Sequence, residues 1–252
     1  MQFRFVDQFM WIRMDVDPAS LRRGRVTVVE SARRLHSEKS YGFIHSLWWI
    51  WAEDGRSAAS VPPGAGPAIR KVLEDVRDKR RLLDPELAER LKAPVNDASA
   101  AAGVQPVDRV LRDVVFACNA RLLRRHNDGH CRRLTDATIP PAEGIRLPTH
   151  CFPDGIVYGV VADGTVASVA YAHRTGCMED RVADLGVECA PAYRRRGYAK
   201  TAVSSVVAHI TALGGQARYG CSPDNAASLA TARSVGFTPY GTSLILSAPL
   251  PA

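Results

Sequence analysis

The chain has 252 residues and a hydrophobic content of 46%, which is enough for the core of one large domain or two small ones. It has no apolar run of membrane-spanning length, and its first residues lack the organisation of a secretory signal, so a cytoplasmic protein is expected. The net charge is +7, with the basic excess mostly in residues 1–150. Six scattered cysteines show no disulfide-framework spacing and are expected to be reduced.

Residues 1–103 are predicted to form an α/β region, which is a candidate degenerate half-copy of the fold that follows. Trp48, Trp49 and Trp51 lie in its most apolar segment, where they are candidates either to pack a core or to line an acceptor pocket. An Asp-Gly pair just after them is typical of a hairpin turn. The predicted elements are extended segments at 3–6 and 9–12, strands at 25–29 and 42–52, and helices at 67–81 and 84–91.

Residues 104–149 are predicted to form a linking helix and a loop. The small and polar residues 94–103 in front of them are typical of a linker. Apolar residues then recur at helical spacing from Val107 to Leu123, which predicts one amphipathic helix. Several prolines between residues 140 and 148 mark the loop.

From residue 150 to residue 252 the apolar runs and turn residues are regular. They predict an α/β domain with a mixed central sheet and helices on both of its faces. The predicted elements are strands at 156–162, 165–173, 183–190 and 217–221, helices at 198–213 and 225–235, and closing strands within 238–246.

The most informative segment is the turn Arg194-Arg-Arg-Gly-Tyr-Ala199, between a predicted strand and a predicted helix. Small residues at 197 and 199 let the backbone approach a ligand closely. The first N–H groups of the helix have no internal acceptor, and the arginines beside them add full positive charges. The sequence therefore predicts a turn that holds a pyrophosphate.

This turn resembles the acyl-CoA-binding motif Arg-x-x-Gly-x-Ala of the GNAT superfamily of N-acetyltransferases, with Arg194, Gly197 and Ala199 at the fixed positions. The segment Asn225-Ala-Ala-Ser228, followed by a short helix and then Gly-Phe, resembles the next block of that family. The resemblance covers about residues 150–246. It implies a fold of GNAT type, acetyl-CoA as co-substrate and an amine as acceptor.

The resemblance also implies how the thioester is held. The strand before the turn is expected to part from the strand at 217–221 and so admit the pantetheine arm, while backbone N–H groups near Cys189 polarise the carbonyl. The residues implied to bind acyl-CoA are Cys189, Ala190, Arg194, Arg195, Arg196, Gly197, Tyr198, Ala199, Lys200, Asn225 and Ser228.

The attacking amine must lose a proton, and three residues are candidates for the base. Glu188 comes first, because a carboxylate in an otherwise apolar strand is partly desolvated. Asp184 lies on the same face of that strand, and His173 lies at the end of the hairpin strand. One of the two carboxylates is equally able to anchor an arginine.

One position departs from the family pattern. The tyrosine that commonly follows the Asn by seven residues, and that protonates the leaving thiolate, is replaced by Ala232. Tyr219, Ser222 and Tyr240 are candidate substitutes, and unassisted departure stays open because a thiol has a pKa of about 8.5. Cys189 as an acyl-carrying nucleophile is a minor alternative, since a lone buried cysteine usually acts as a small hydrophobe.

Two further clusters lie outside the motif. One contains His and Cys residues whose spacing matches no standard zinc site, so no metal is expected; its members are Cys118, His126, His130, Cys131, His150 and Cys151. The other is basic, and it suits either a solvated helix end or an acidic partner such as the CoA phosphates or a nucleic acid; its members are Arg121, Arg124, Arg125, Arg132 and Arg133. No aromatic residues interleave these arginines, which disfavours nucleic acid.

The sequence thus predicts an N-acetyltransferase that moves an acetyl group from acyl-CoA to a small-molecule or peptide amine by direct attack on the thioester. The first alternative is a catalytically silent acyl-CoA-binding or interaction module. The second is a GNAT-fold transferase that uses aminoacyl-tRNA, against which the intact pyrophosphate turn argues. No membrane partner is expected, and a homodimer is compatible with the chain.

Overall fold

The computed structural model describes residues 2–37, 41–126, 129–135, 139–152 and 155–250. The helices are α1 (Arg4–Arg13), α2 (Gly66–Leu73), α3 (Pro85–Ala100), α4 (Tyr198–Ala212) and α5 (Ala226–Val235). The strands are β1 (Val26–Glu30), β2 (Phe43–Ala52), β3 (Ser57–Val61), β4 (Arg109–Cys118), β5 (Cys131–Arg133), β6 (Val157–Ala162), β7 (Thr165–Ala172), β8 (Val182–Cys189), β9 (Gln216–Cys221) and β10 (Thr238–Pro249).

The described residues form two compact units, each assembled from separate segments of the chain. The first unit comprises Met1–Asp7, Phe116–Gly220 and Asn225–Thr238. The second comprises Gln8–Val115, Cys221–Asp224 and Pro239–Ala252. The domain boundaries after residues 103 and 149 stay a prediction.

The first unit contains a mixed sheet with the order β5-β6-β7-β8-β9. Neighbouring strands are antiparallel except β8 and β9, which are parallel because α4 connects them. The helix packs on β6, β7 and β8 with an apolar face of Val203, Val206, Val207 and Ile210, all fully buried. The predicted mixed α/β fold and the predicted apolar face of this helix are confirmed.

An irregular segment, residues 139–152, covers part of the same sheet. Buried side chains of β6 and β7, such as Val157 and Val169, form an apolar cluster to which Ile145 and Leu147 of this segment contribute. A single short 3-10 turn, Thr149–Cys151, is its only helical element in the described residues. The predicted loop is therefore ordered against the sheet by its own apolar side chains.

The second unit has its own sheet and core. β1 is parallel to β3, and β2 lies antiparallel between β3 and β10. β2 is buried on both of its faces, which explains why it reads as a continuous apolar run. Trp49 and Trp51 belong to the core cluster with residues of α2 and α3, and Trp48 is also buried. The three tryptophans thus pack core rather than line a pocket.

Two predictions near the N-terminus are wrong. The segment read as extended forms α1. Four of its buried residues, Val6, Phe9, Met10 and Arg13, are spaced at the helical period rather than at a period of two. The helix predicted to run to residue 81 ends at Leu73, before a 3-10 turn.

Two predictions in the middle of the chain are also wrong. Residues 94–103, read as a linker, continue α3 through Pro94 to Ala100, because Leu91, Val95 and Ser99 extend its buried face. The amphipathic helix predicted from Val107 is instead β4. Its β-branched residues favour an extended backbone, and the last four residues of the strand are all buried.

The closing strands predicted within 238–246 form one long strand, β10. It pairs antiparallel with β2 from Gly241 to Pro249, and it belongs to the second unit from Pro239 onward. A contiguous domain read from the sequence does not reveal this, because strand pairing over such a sequence distance depends on tertiary packing.

Candidate active site

The candidate site begins where two parallel strands separate. The pairing of β8 with β9 runs from Val182 and Gln216 only as far as Leu185 and Tyr219, whereas β8 itself continues to Cys189. The prediction that the strand before the arginine-rich turn parts from its neighbour is confirmed.

The turn after β8 is shaped by proline and by left-handed residues. Pro191 lacks the N–H that a ladder needs, so the strand ends and one 3-10 turn follows. Arg195 has a φ of 62° and Gly197 a φ of 88°, both in the left-handed region. These residues lead directly into α4, whose first N–H groups have no acceptor within the helix. This geometry is suited to binding an anion.

A cavity of about 760 Å³ lies in this part of the first unit. Its walls come from β8, the arginine-rich turn, the start of α4, Tyr219 of β9, α5 and the irregular segment at residues 139–152, called the covering loop. The lining residues are Gly144, Ile145, Val187, Glu188, Cys189, Tyr193, Arg194, Arg195, Gly197, Tyr198, Ala199, Lys200, Tyr219, Asn225, Ala227, Ser228, Ala230, Thr231 and Ser234. Most residues predicted to bind acyl-CoA are thereby brought to one cavity.

Two residues predicted to bind acyl-CoA do not line this cavity. Arg196 places its guanidinium 5.3 Å from the centre of the Tyr193 ring, a cation–π contact. Ala190 is buried, and its N–H donates to the carbonyl of Ala167 at 3.0 Å. The N–H of Ala190 is therefore already used in the sheet, which corrects its predicted role as a donor to the thioester.

The alternation of an antiparallel ladder identifies the backbone donors that remain. The carbonyl of Asp184 accepts from the N–H of His173, just after β7, and the N–H of Ala190 donates to β7. Because these groups alternate along a strand, the N–H groups of Val187 and Cys189 point the other way, toward the edge where β9 separates. That edge is the cavity side of β8, and both residues line the cavity. These two amides are in position to polarise a carbonyl held between the strands.

Glu188 is the half-buried carboxylate of this cavity. Its Oε2 accepts a hydrogen bond from the backbone N–H of Arg146 at 2.8 Å, so the covering loop orients it. The hydroxyl of Ser168 donates to the Glu188 carbonyl at 2.7 Å, which fixes the backbone behind it. A carboxylate with one oxygen bonded and the other available suits a general base.

Asp184 is used differently. It is 2% exposed and forms an ion pair with Arg218, which is also buried. Because its charge balances a buried guanidinium, Asp184 is better suited to anchoring that arginine than to accepting a proton. This is the outcome that the sequence left open for one of the two carboxylates.

His173 belongs to a ring cluster next to Glu188 on the same face of the sheet. Its ring lies 5.0 Å from that of Tyr171, and His150 stacks on it at 6.1 Å. Tyr171 lies over Gly186, where a Cβ would come within 2.3 Å of the tyrosine ring. Burial, followed by the charge of Glu188, raises the pKa of Tyr171 to about 12, so its hydroxyl stays protonated.

Among the candidate substitutes for the missing tyrosine, Tyr219 is the one that lines the cavity. Its Oη lies 2.6 Å from Oγ of Ser228, whose N–H is capped by Asn225 at 3.0 Å. Ala232 is fully buried and does not line the cavity. Tyr240 belongs to the second unit and Ser222 does too, so their roles as substitutes stay predictions.

Cys189 lines the cavity as a thiol. Burial raises its pKa above the ordinary value, which opposes formation of a thiolate near neutral pH. A non-covalent role is the simpler chemical interpretation.

Several lining residues are absent from the sequence prediction. Gly144 and Ile145 lie in a proline-rich loop, where no pattern signals contact with β8. The same holds for Arg146, which does not line the cavity but bonds Glu188 through its backbone. Thr231 and Ser234 were within reach, because they follow Ala227 at helical spacing on the same face of α5.

Residues 119–238 match the family model of the acetyltransferase (GNAT) domain. This part of the chain belongs to the GNAT superfamily. The matched residues contain the separated strands, the turn, α4, α5 and every residue that lines the cavity.

Comparison of the chain with solved structures finds matches of low sequence identity. A protein assigned to the GNAT acetyltransferase family from Novosphingobium aromaticivorans shares 21% identity with a TM-score of 0.49, covering 58% of this chain and 67% of that one. A GNAT-family acetyltransferase from Colwellia psychrerythraea shares 15% with a TM-score of 0.41, covering 61% and 62%. A GCN5-related N-acetyltransferase from Kribbella flavida shares 17% with a TM-score of 0.43, covering 66% and 65%.

No curated protein matches the sequence. Within the described ranges, no helix is both long enough and apolar enough to cross a membrane. The same residues contain no group of three or more His, Cys, Asp or Glu side chains arranged to hold a metal ion.

Proposed function

We propose that the GNAT domain transfers an acetyl group from acetyl-CoA to an amine. The observation that carries the proposal is the early end of the β8–β9 pairing directly above a left-handed, arginine-flanked turn. A thioester arm fits between separated strands, and a pyrophosphate fits the N–H groups and guanidinium groups of the turn. A small-molecule or peptide amine is the proposed acceptor.

Residues of β8 would act on the two reacting groups. Glu188 would take a proton from the ammonium so that the amine nitrogen can attack the thioester carbon. The N–H groups of Val187 and Cys189 would stabilise the negative charge that develops on the carbonyl oxygen. A C–N bond forms, the C–S bond breaks, and the electron pair leaves on sulfur.

Tyr219 would protonate the departing thiolate. Its hydroxyl is held toward the cavity by Ser228 at 2.6 Å, and a phenol is acidic enough to share a proton with a thiolate. The Tyr219 hydroxyl would therefore perform the role of the tyrosine that the family commonly has at the position of Ala232.

A screen of amine acceptors tests the proposal. The full chain is mixed with acetyl-CoA and one amine at a time, drawn from small polyamines, amino sugars, amino acids and peptides with a free N-terminus or lysine. Thiol release above the rate without acceptor, together with a product one acetyl group heavier, would support the transferase. Acetyl-CoA binding by calorimetry without thiol release from any acceptor would favour the binding module. The absence of both would reject the assignment of the cavity.

A further inference from the structure

The cavity extends beyond the pyrophosphate turn along α5. Ala227, Ala230, Thr231 and Ser234 line it at helical spacing, and Lys200 of α4 also contributes to its wall. If acetyl-CoA binds as proposed, its pantetheine lies toward Glu188 and its pyrophosphate at the turn. The lining along α5 is then available to the nucleotide of CoA, which carries a phosphomonoester.

A short basic segment borders the α5 end of the cavity. This segment, residues 121–126, is called the arginine arm. The N–H of Arg124 donates to the carbonyl of Val235 at 2.8 Å, and Nε2 of His126 lies 3.1 Å from the carbonyl of Ser234. Ser234 lines the cavity, so the arm meets the helix at the cavity's border.

The arm is also attached to α4 and packed against the end of α5. The N–H of His126 donates to Oγ of Ser204 at 3.1 Å, and that hydroxyl donates back to the His126 carbonyl at 3.0 Å. Gly236 has a φ of 102°, and a Cβ there would come within 1.9 Å of the Leu122 carbonyl oxygen. The backbone of the arm is therefore held at both helices.

The charge of the arm exceeds what its position on α5 needs. Arg121, Arg124 and Arg125 are all exposed, and within the described residues none of them forms an ion pair. One cation is sufficient to complement the carbonyl end of a helix. Two or three guanidinium groups that lack a carboxylate partner are suited to a phosphate with two negative charges.

We propose that the arginine arm binds the 3′-phosphate of the CoA nucleotide through Arg124 and Arg125, with Arg121 adding to the positive field. The inference rests on the proposed function, since it requires CoA in the cavity. It adds a second phosphate site, remote from the pyrophosphate turn, that distinguishes CoA from nucleotides without this phosphate.

Calorimetry with CoA and 3′-dephospho-CoA tests the arm, because the two ligands differ only in that phosphate. The wild-type chain should bind CoA about tenfold more tightly than dephospho-CoA. Arg124→Ala and Arg125→Ala should each reduce this preference several-fold while leaving the affinity for dephospho-CoA within about twofold. Arg181→Ala is the matched control, since Arg181 is an exposed arginine of the same unit that does not line the cavity and should change neither affinity.

The outcomes separate the two proposals. Equal binding of both ligands by the wild-type chain would overturn the phosphate site while leaving acyl-CoA binding intact. An equal loss of both affinities in the arm variants would also overturn it, since the arm would then act on the fold. Failure of both ligands to bind the wild-type chain would reject the proposed function itself. Salt-dependent binding of an RNA oligonucleotide that the arm variants abolish, with CoA discrimination unchanged, would assign the arm to nucleic acid instead.

Discussion

Two strand–turn–helix segments of this chain are alike in backbone and different in what they can bind. In the first unit, β8 leads through Gly197, with a φ of 88°, into α4. In the second unit, β3 leads through Gly64, with a φ of 89°, toward α2. Each segment presents the unpaired N–H groups of a helix start after a left-handed glycine.

The difference is whether the chain itself supplies a negatively charged group to the helix start. In the second unit, Oε1 of Glu30 accepts the N–H of Gly66 at 2.9 Å, and a Cβ at that glycine would lie 2.4 Å from the same oxygen. The chain thus supplies its own carboxylate. At the start of α4 the corresponding place is part of the cavity, which two of the turn arginines line. A helix start is open to a ligand only where the fold leaves it without an internal anion.

The strands themselves sharpen the comparison, since β3 carries no ionisable residue and β8 carries Glu188. Replacing Glu188 with Gln keeps the shape of the side chain and removes its basicity. Turnover should fall by about 10²–10⁴ with acetyl-CoA affinity within about threefold of wild type, and the acidic limb of the pH profile of kcat/KM should disappear. Steady-state kinetics and calorimetry measure these effects. Near-normal turnover with that limb retained would move the base to His173 or Asp184.

The two glycines provide a matched pair for the binding step. Gly197→Val and Gly64→Val impose similar strain, because both positions have nearly the same positive φ. Only the first should weaken acetyl-CoA binding, by about tenfold or more, since only that turn borders the cavity. Calorimetry on both folded variants is the measurement. Equal affinities for the two would contradict the assignment of the turn.

The hydroxyl of Tyr219 predicts a smaller effect. Tyr219→Phe should lower turnover by roughly tenfold without changing acetyl-CoA affinity, because only the departing thiolate needs the proton. Ala232→Tyr serves as the partner variant, although its fully buried position demands repacking. Unchanged turnover of Tyr219→Phe would mean that the thiolate leaves unaided or that Tyr240 supplies the proton.

The smallest effect is expected at the second helix start. Glu30→Gln removes the negative charge beside the N–H of Gly66, which should lower the free energy of unfolding by about 0.5–1 kcal/mol. Urea denaturation measures this loss. The affinity for acetyl-CoA should stay at the wild-type value, and a change in it would show that the two helix starts are not independent.

Most of the first unit could be predicted from the sequence. The elements around Gly197 follow local rules: an apolar run ended by proline, a glycine with positive φ, and a helix with a single apolar face. Residues 107–118 show where such rules fail. Their β-branched residues recur at helical spacing and so fit both a helix and a strand, and tertiary packing decides in favour of the strand. The linker prediction at Pro94 was also wrong because of packing. The buried face of α3 stabilises the helix by more than the proline destabilises it.

The sequence by itself determined the arginine-rich turn, the helices beside it and the carboxylates on β8, because each depends on neighbours along the chain. Tertiary structure alone decided how these groups are used. The N–H of Ala190 bonds within the sheet because of strand alternation. A buried arginine from β9 forms an ion pair with Asp184, and the backbone N–H of Arg146 orients Glu188. These choices depend on partners from distant parts of the sequence, and only the folded chain brings those partners together.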